Sequence, residues 1–169
     1  AVENALKEAA GSGKPGQAHG RLTVARIDRK QRRRNPAPPF TTSTLQQEAA
    51  RKLGFSAQRT MRLAQQLYEG VDYGEGSVGL ITYMRTDSVS LAAEAVAEIR
   101  NVATQLYGKE AVADEVRVYK VKSRNAQEAH ECIRPTDMGL GPDKIRVEDD
   151  QRKLYELIWK RTISSQMAA

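Results

Sequence analysis

The stretch "STLQQEAARKLGFSAQRTMRLAQQLYEG", Ser43 to Gly70, decides the fold class. Ser43 with Gln46 three residues later has the form of a capping box, and Leu45, Ala49 and Leu53 then recur on one helical face until Gly54 stops them. Ser56 is placed to cap a second helix carrying Met61, Ala64, Leu67 and Tyr68 and ending near Gly70. Only "GF" lies between the two runs, which predicts a helical hairpin.

Beyond Gly70, "VDYGEGSV" is rich in turn formers, and the branched residues of "GLITYM" predict a short extended segment. Ser88 or Ser90 then opens a third helix, with Leu91, Ala95, Ile99, Val102 and Leu106 on one stripe. "EVRVYKV" alternates like a strand, and "SRNAQEAHECIRPTDMGLGPDK" reads as a loop with at most one helical turn before Pro135. "DDQRKLYELIWKRTISSQM" reads as a final amphipathic helix, with Tyr155 and Trp159 one turn apart in the core. On the other side of the hairpin, "AVENALKEAA" favours a short helix, "GSGKPGQAHG" a flexible connection, and "RLTVARI", Arg21 to Ile27, a strand. Pro36, Pro38 and Pro39 end the basic run that follows and mark the main boundary, dividing residues 1–33 from 34–169. The expected class is α+β, predominantly helical, with a few short strands.

With 169 residues, 40% of them hydrophobic and 28% charged, the chain has the composition of a cored globular domain. A formal charge of +6 and a sequence pI near 9.5 favour a polyanionic partner. No window approaches the roughly 18 apolar residues of a membrane span, and no signal-peptide pattern opens the chain, so a cytoplasmic location is expected. One cysteine, Cys132, excludes an internal disulfide and a cysteine-rich zinc module. Starting at Ala1 rather than Met, the chain reads as an excised fragment.

Two stretches carry candidate chemistry. In "GLITYMRTDS", Gly79 to Ser88, alternation of an extended backbone turns Tyr83, Arg85 and Asp87 to one side, with about 7 Å between successive members by strand rise. A phosphate can bridge that gap. A phenol, with its pKa near 10, needs a base or neighbouring cations to act as a nucleophile, and the planar fork of Arg85 matches phosphate oxygens while staying charged. The plain alternative is a packed strand tyrosine followed by helix-capping residues. In "NAQEAHECIRPTD", His130 lies among Gln127, Glu128 and Glu131, with Arg134 before a proline. A histidine there can bind a phosphate or move a proton, or simply hold a structural bond to a glutamate. No ligand spacing predicts a metal site. His19 and Cys132 read as structural, and the run Arg32 to Arg34 as a phosphate grip or a solvated linker.

Together, "PAPPFTTSTLQQEAARKLGFSAQRTMRLAQQLYEG", "GLITYMRTDS" and "AQEAHECIRPTD", in this order, closely resemble the active-site tyrosine region of bacterial type IA DNA topoisomerase I, from about Pro36 to Met167. The resemblance implies that Tyr83 attacks single-stranded DNA to form a 5′-phosphotyrosine, that Arg85 stabilises the phosphate, and that His130 binds it or helps its proton traffic. It also implies DNA contacts at Gln65, Glu69, Thr82, Thr86 and Arg134, with Asp87 in support. Residues 1–33 would be a helix, a linker and a strand from the neighbouring β-rich gate domain. Mg²⁺ ligands would lie in a Toprim domain outside this chain, so the chain alone is expected not to cleave DNA. One departure is Cys132, where the family usually has alanine, with an oxidisable thiol as the expected consequence. A non-catalytic basic nucleic-acid-binding module is the alternative. A tyrosine recombinase or type IB site is disfavoured, because here the tyrosine lies mid-chain and precedes both His130 and Arg134.

Overall fold

The computed structural model describes residues 24–30, 32, 34–72, 76–119 and 131–169. Backbone contacts divide the chain into two units, Ala1–Arg33 and Arg34–Ala169. In the first unit the predicted helix and linker lie outside the described residues. Residues 24–27 of the predicted strand have no regular structure, and Val24 and Ile27 are exposed. Alternating side chains make a strand only where a second backbone completes the ladder, and no described segment does so here.

The second unit is predominantly helical with a few short strands: α1 (Thr42–Leu53), α2 (Ala57–Glu69), β1 (Val71–Asp72), β2 (Ser77–Val78), α3 (Ala93–Tyr107), a 3₁₀ turn (Lys109–Ala111) and α4 (Asp149–Ser164). β1 and β2 form a small antiparallel hairpin pairing Val71 with Val78 and Asp72 with Ser77. Among the described residues no helix is long and apolar enough to cross a membrane.

The helical hairpin forms as expected, but its first cap lies two residues earlier. Thr41, not Ser43, caps α1: its hydroxyl accepts from the Thr44 amide, and the Thr44 hydroxyl accepts from the Thr41 amide at 2.9 Å. The shift has a tertiary cause. Phe40 is fully buried and bridges to Ile133, and the Thr42 amide donates to the Thr86 carbonyl at 2.9 Å, so the first turn is recruited by a distant segment. Gly54 closes α1 in the left-handed region (φ 69°), which a side chain would resist. Ser56 caps α2 as predicted. The buried stripe of α2 is Thr60, Leu63, Ala64 and Leu67, which leaves Tyr68 outside it, 41% exposed.

Two further expectations are corrected. α3 begins at Ala93, not after Ser88 or Ser90. The Ser88 hydroxyl instead accepts from the Ser90 amide and the Thr86 hydroxyl accepts from the Ser88 amide, so these groups shape the approach to the helix. The Ala92 amide is satisfied from afar, by the Glu131 carboxylate at 2.9 Å. "EVRVYKV" forms no strand over its described part. Its backbone pairs with a helix end instead: the Arg117 amide donates to Gln166 Oε1 and Gln166 Nε2 donates to the Arg117 carbonyl, while the Tyr119 hydroxyl donates to the Ser165 carbonyl. The alternation was real, but its partner is the C-terminal end of α4.

α4 runs through the core and packs against the other three helices. Leu154, Tyr155, Ile158, Trp159 and Ile163 are buried, in line with the core reading of the two aromatics. Tyr155 Oη donates to the Leu140 carbonyl and Trp159 Nε1 to the Met138 carbonyl, so α4 also fastens the loop that follows Pro135.

Candidate active site

Residues 79–90 cross this core as an extended strap, held in turn by three partners: the end of α2, residues 131–136 and the start of α1. The Leu80 amide donates to the Leu67 carbonyl at 2.7 Å, anchoring the strap to the last turn of α2. Its entry needs Gly79: a Cβ there would lie 2.5 Å from the Tyr68 carbonyl oxygen. On the next side the strap meets residues 131–136. The Thr136 amide donates to the Leu80 carbonyl, the Thr82 amide to the Arg134 carbonyl, and Ile81 bridges to Pro135. Thr82 Oγ1 adds a bond to the Cys132 carbonyl at 2.7 Å and accepts from the Arg134 amide at 3.0 Å.

Past Tyr83 the partner changes to the start of α1. Thr42 Oγ1 donates to the Met84 carbonyl at 2.8 Å, also reaches the Thr86 carbonyl at 3.1 Å, and accepts from the Thr86 amide at 2.9 Å. This change of partner is why the strap is extended without belonging to a sheet.

The pinning sorts the side chains. Met84 and Ser88 are buried, and Thr82 and Thr86 are half-buried and used in the bonds above, whereas Tyr83, Arg85 and Asp87 are exposed. The predicted alternation therefore appears, with the three polar candidates on the solvent side. Arg85 and Asp87 form no hydrogen bond or ion pair among the described residues, leaving the guanidinium fork open to an anion. Tyr83 is 44% exposed, and its ring meets Tyr68 edge to face, with centroids 5.2 Å apart and an interplanar angle of 66°.

The remaining candidates divide. Gln65 and Glu69 are exposed one turn apart on α2, with Gln65 Nε2 donating to Glu69 Oε1 at 2.7 Å, on the helix end that carries Tyr68. Arg134 turns inward: its guanidinium donates to Glu131 Oε2 at 2.9 Å and to the Pro135 carbonyl at 3.0 Å, and its side chain is only 15% exposed. His130 lies outside the described residues, as do Gln127 and Glu128. Glu131, the next residue, ties the segment to both Arg134 and the start of α3. Among the described residues no group of three His, Cys, Asp or Glu side chains is arranged to hold a metal ion.

An open phenol and an open guanidinium on a strap braced from behind can receive a phosphodiester, and comparison with known proteins points the same way. Residues 5–169 match the family model described as DNA topoisomerase. The chain belongs to the DNA topoisomerase family. It is 55% identical over 153 residues to DNA topoisomerase 1 of Xylella fastidiosa (strain Temecula1 / ATCC 700964), covering 89% of this chain and 19% of that protein. Over 146 residues it is 58% identical to DNA topoisomerase 1 of Rickettsia felis, covering 85% of this chain and 19% of that protein. The solved structure of full-length topoisomerase I from Thermotoga maritima superposes with a TM-score of 0.70 at 47% identity, over 81% of this chain and 21% of that one. These likenesses bear out the resemblance to bacterial type IA DNA topoisomerase I. The chain spans about a fifth of the length of the curated relatives it matches.

Within this topoisomerase chain, Cys132 departs from the expected oxidisable thiol. It is fully buried, and burial, helped by the neighbouring Glu131, pushes the thiol up to about 12, so neither access nor ionisation favours oxidation. Sequence reasoning also missed Thr42, Gly79 and Tyr68. Tyr68 was read there only as part of the apolar run of the second helix, and its place outside the buried stripe emerges with the fold.

Proposed function

We propose that this chain is the tyrosine-bearing part of a type IA DNA topoisomerase, an isomerase that opens one strand of DNA, passes another through the gap and reseals it. The Tyr83 oxygen attacks a backbone phosphorus of single-stranded DNA. The new bond is a 5′-phosphotyrosine, the bond that breaks is P–O3′, and the leaving oxygen takes up a proton to become a 3′-hydroxyl. The phenol proton passes to a base or to water, with His130 assigned to bind the phosphate or carry that proton. Arg85 offsets charge on the phosphoryl oxygens. Resealing reverses the same step, so the broken strand's bond energy is kept in the protein linkage.

Gln65 and Glu69 are assigned to hold the DNA strand from the exposed face of α2, Thr82, Thr86 and Arg134 to meet it through the segments they brace rather than through their internally bonded side-chain groups, and Asp87 to support the site. Mg²⁺ in the whole enzyme would stabilise phosphate charge, held by carboxylates of a Toprim domain outside these residues. The enzyme's working place is the cytoplasm, at the nucleoid. The observation that carries this reading is the outward pair Tyr83 and Arg85 on a backbone pinned from behind. The formal charge of +6 also suits simple nucleic-acid binding, which describes the isolated chain if the other half of the site lies elsewhere.

The test uses the full-length polypeptide and single-stranded oligonucleotides labelled at either end. A 3′ label should become covalently attached to protein and a 5′ label should be released. Tyr83→Phe should abolish attachment while DNA binding persists, and the isolated chain should form no adduct. Attachment by the Tyr83→Phe protein would overturn the assignment.

A further inference from the structure

A nucleophile must hold its attacking atom in line with the bond to be broken, and a side chain exposed on an extended strap is free to turn about χ1 and χ2 unless something stops it. For Tyr83 the backbone is fixed on both sides, by Thr82 to the 131–136 segment and by Thr42 to Met84 and Thr86. None of those bonds touches the ring. Among the described residues the one aromatic group against it is Tyr68, edge to face with centroids 5.2 Å apart.

We propose that Tyr68 is a positioning residue for Tyr83, holding the phenol ring in the orientation from which it attacks. This rests on the assignment of Tyr83 as nucleophile. Three observations support it. Tyr68 lies outside the buried stripe of α2 and remains 41% exposed, so it adds little to the core. The strap is tied to the same turn of α2 twice, by the Leu80 amide on the Leu67 carbonyl and by the approach of Gly79 to the Tyr68 carbonyl. The two rings therefore rise from backbones held in register, and their separation does not depend on a flexible loop. Finally, the contact is edge to face, the arrangement the aromatic quadrupole favours, and it leaves Tyr83 44% exposed for DNA to reach.

Edge-to-face pairs bias the paired orientation by roughly two- to twelvefold over an unpaired ring. Losing Tyr68 should therefore slow the attack by about that factor without weakening DNA binding. The ring carries the effect, so phenylalanine should restore it and leucine, of similar apolar bulk, should not.

The experiment measures single-turnover covalent attachment of a 3′-labelled oligonucleotide at saturating concentration, and the Kd of the same oligonucleotide, in the full-length polypeptide. Tyr68→Phe, Tyr68→Leu and Tyr68→Ala are compared with the unaltered protein and with Tyr83→Phe. The expected result is a rate near normal for Tyr68→Phe, lowered roughly two- to twelvefold for the leucine and alanine forms, with Kd and melting temperature unchanged. Normal rates in the leucine and alanine forms would overturn the proposal. So would a weakened Kd with a normal saturated rate, which would make Tyr68 a stacking surface for a base. A fall in melting temperature matching the fall in rate would also overturn it, by assigning Tyr68 to folding. The Tyr83→Phe arm separates the two assignments: adduct formation there removes the nucleophile itself, whereas its absence together with normal Tyr68→Leu rates removes only the role of Tyr68.

Discussion

Thr42→Val removes one hydroxyl and almost nothing else from the clasp between α1 and the strap. In the native chain that hydroxyl donates one proton, shared between the Met84 carbonyl at 2.8 Å and the Thr86 carbonyl at 3.1 Å, and accepts the Thr86 amide at 2.9 Å. Losing the donated bond costs about 1 kcal/mol, and leaving the half-buried Thr86 amide without its acceptor adds about 1–3 kcal/mol. The Thr42 amide still donates to the Thr86 carbonyl at 2.9 Å, so the clasp loosens rather than opens. Water can reach a half-buried amide, which brings the expected loss to about 2 kcal/mol.

Urea unfolding followed by fluorescence of Trp159, the one tryptophan in the sequence and buried against the loop held by α4, reads this directly. With a urea slope of about 1–3 kcal/mol per molar, the midpoint should fall by roughly 1 M at unchanged slope. Thr42→Ser keeps the hydroxyl and should stay within about 1 kcal/mol of the native protein. A valine form within about 0.5 kcal/mol of native, the range of inert surface changes, would refute the reasoning that this hydroxyl holds the strap.

Gly79→Ala should destabilise by about 1–3 kcal/mol in the same assay, because its Cβ would meet the Tyr68 carbonyl oxygen at 2.5 Å and backbone yields little; an unchanged midpoint would refute the close approach. Hydrogen bonding from Arg51, aided by Lys52 and opposed by burial, lowers the Glu48 carboxyl from 4.5 to about 2. Its stabilising effect is therefore complete above pH 4.5 and lost as pH falls from there through 2, so Glu48→Gln should be less stable at pH 7 and lose less over that acid window, and parallel pH profiles would contradict this. The Cys132 thiol, buried and raised to about 12, should react with a disulfide reagent at pH 8 far more slowly in the folded chain than in denaturant; equal rates would place it at the surface.

How much of this was legible before folding depends on how local each cause is. The hairpin of α1 and α2 was readable because Gly54 and Ser56 act within one turn of their own positions, and the apolar stripes recur at helical period. The alternation of "GLITYMRTDS" likewise foretold that Tyr83, Arg85 and Asp87 share one side of the strap, since period two follows from backbone geometry alone, but only the fold showed that this side faces solvent. The start of α3 failed for the opposite reason. The Ala92 amide before it is satisfied by Glu131, 39 residues away, while the Ser88 hydroxyl is spent on the Ser90 amide within the strap. Arg117 to Tyr119 failed similarly: the pattern asked for a partner, and only the folded chain named a helix end as that partner.

For this topoisomerase chain, the sequence by itself determined the helical class, the order of its motifs and the common side of Tyr83, Arg85 and Asp87, because each rests on interactions a few residues in range. The tertiary structure decided how the strap is held and what touches the ring of Tyr83. Thr42 meets Thr86 across 44 residues and Thr82 meets Cys132 across 50, and Tyr68 reaches the ring of Tyr83 only because Gly79 lets two backbones pass in contact. Contacts of that range carry no local periodicity, so they exist only once the core has brought the segments together.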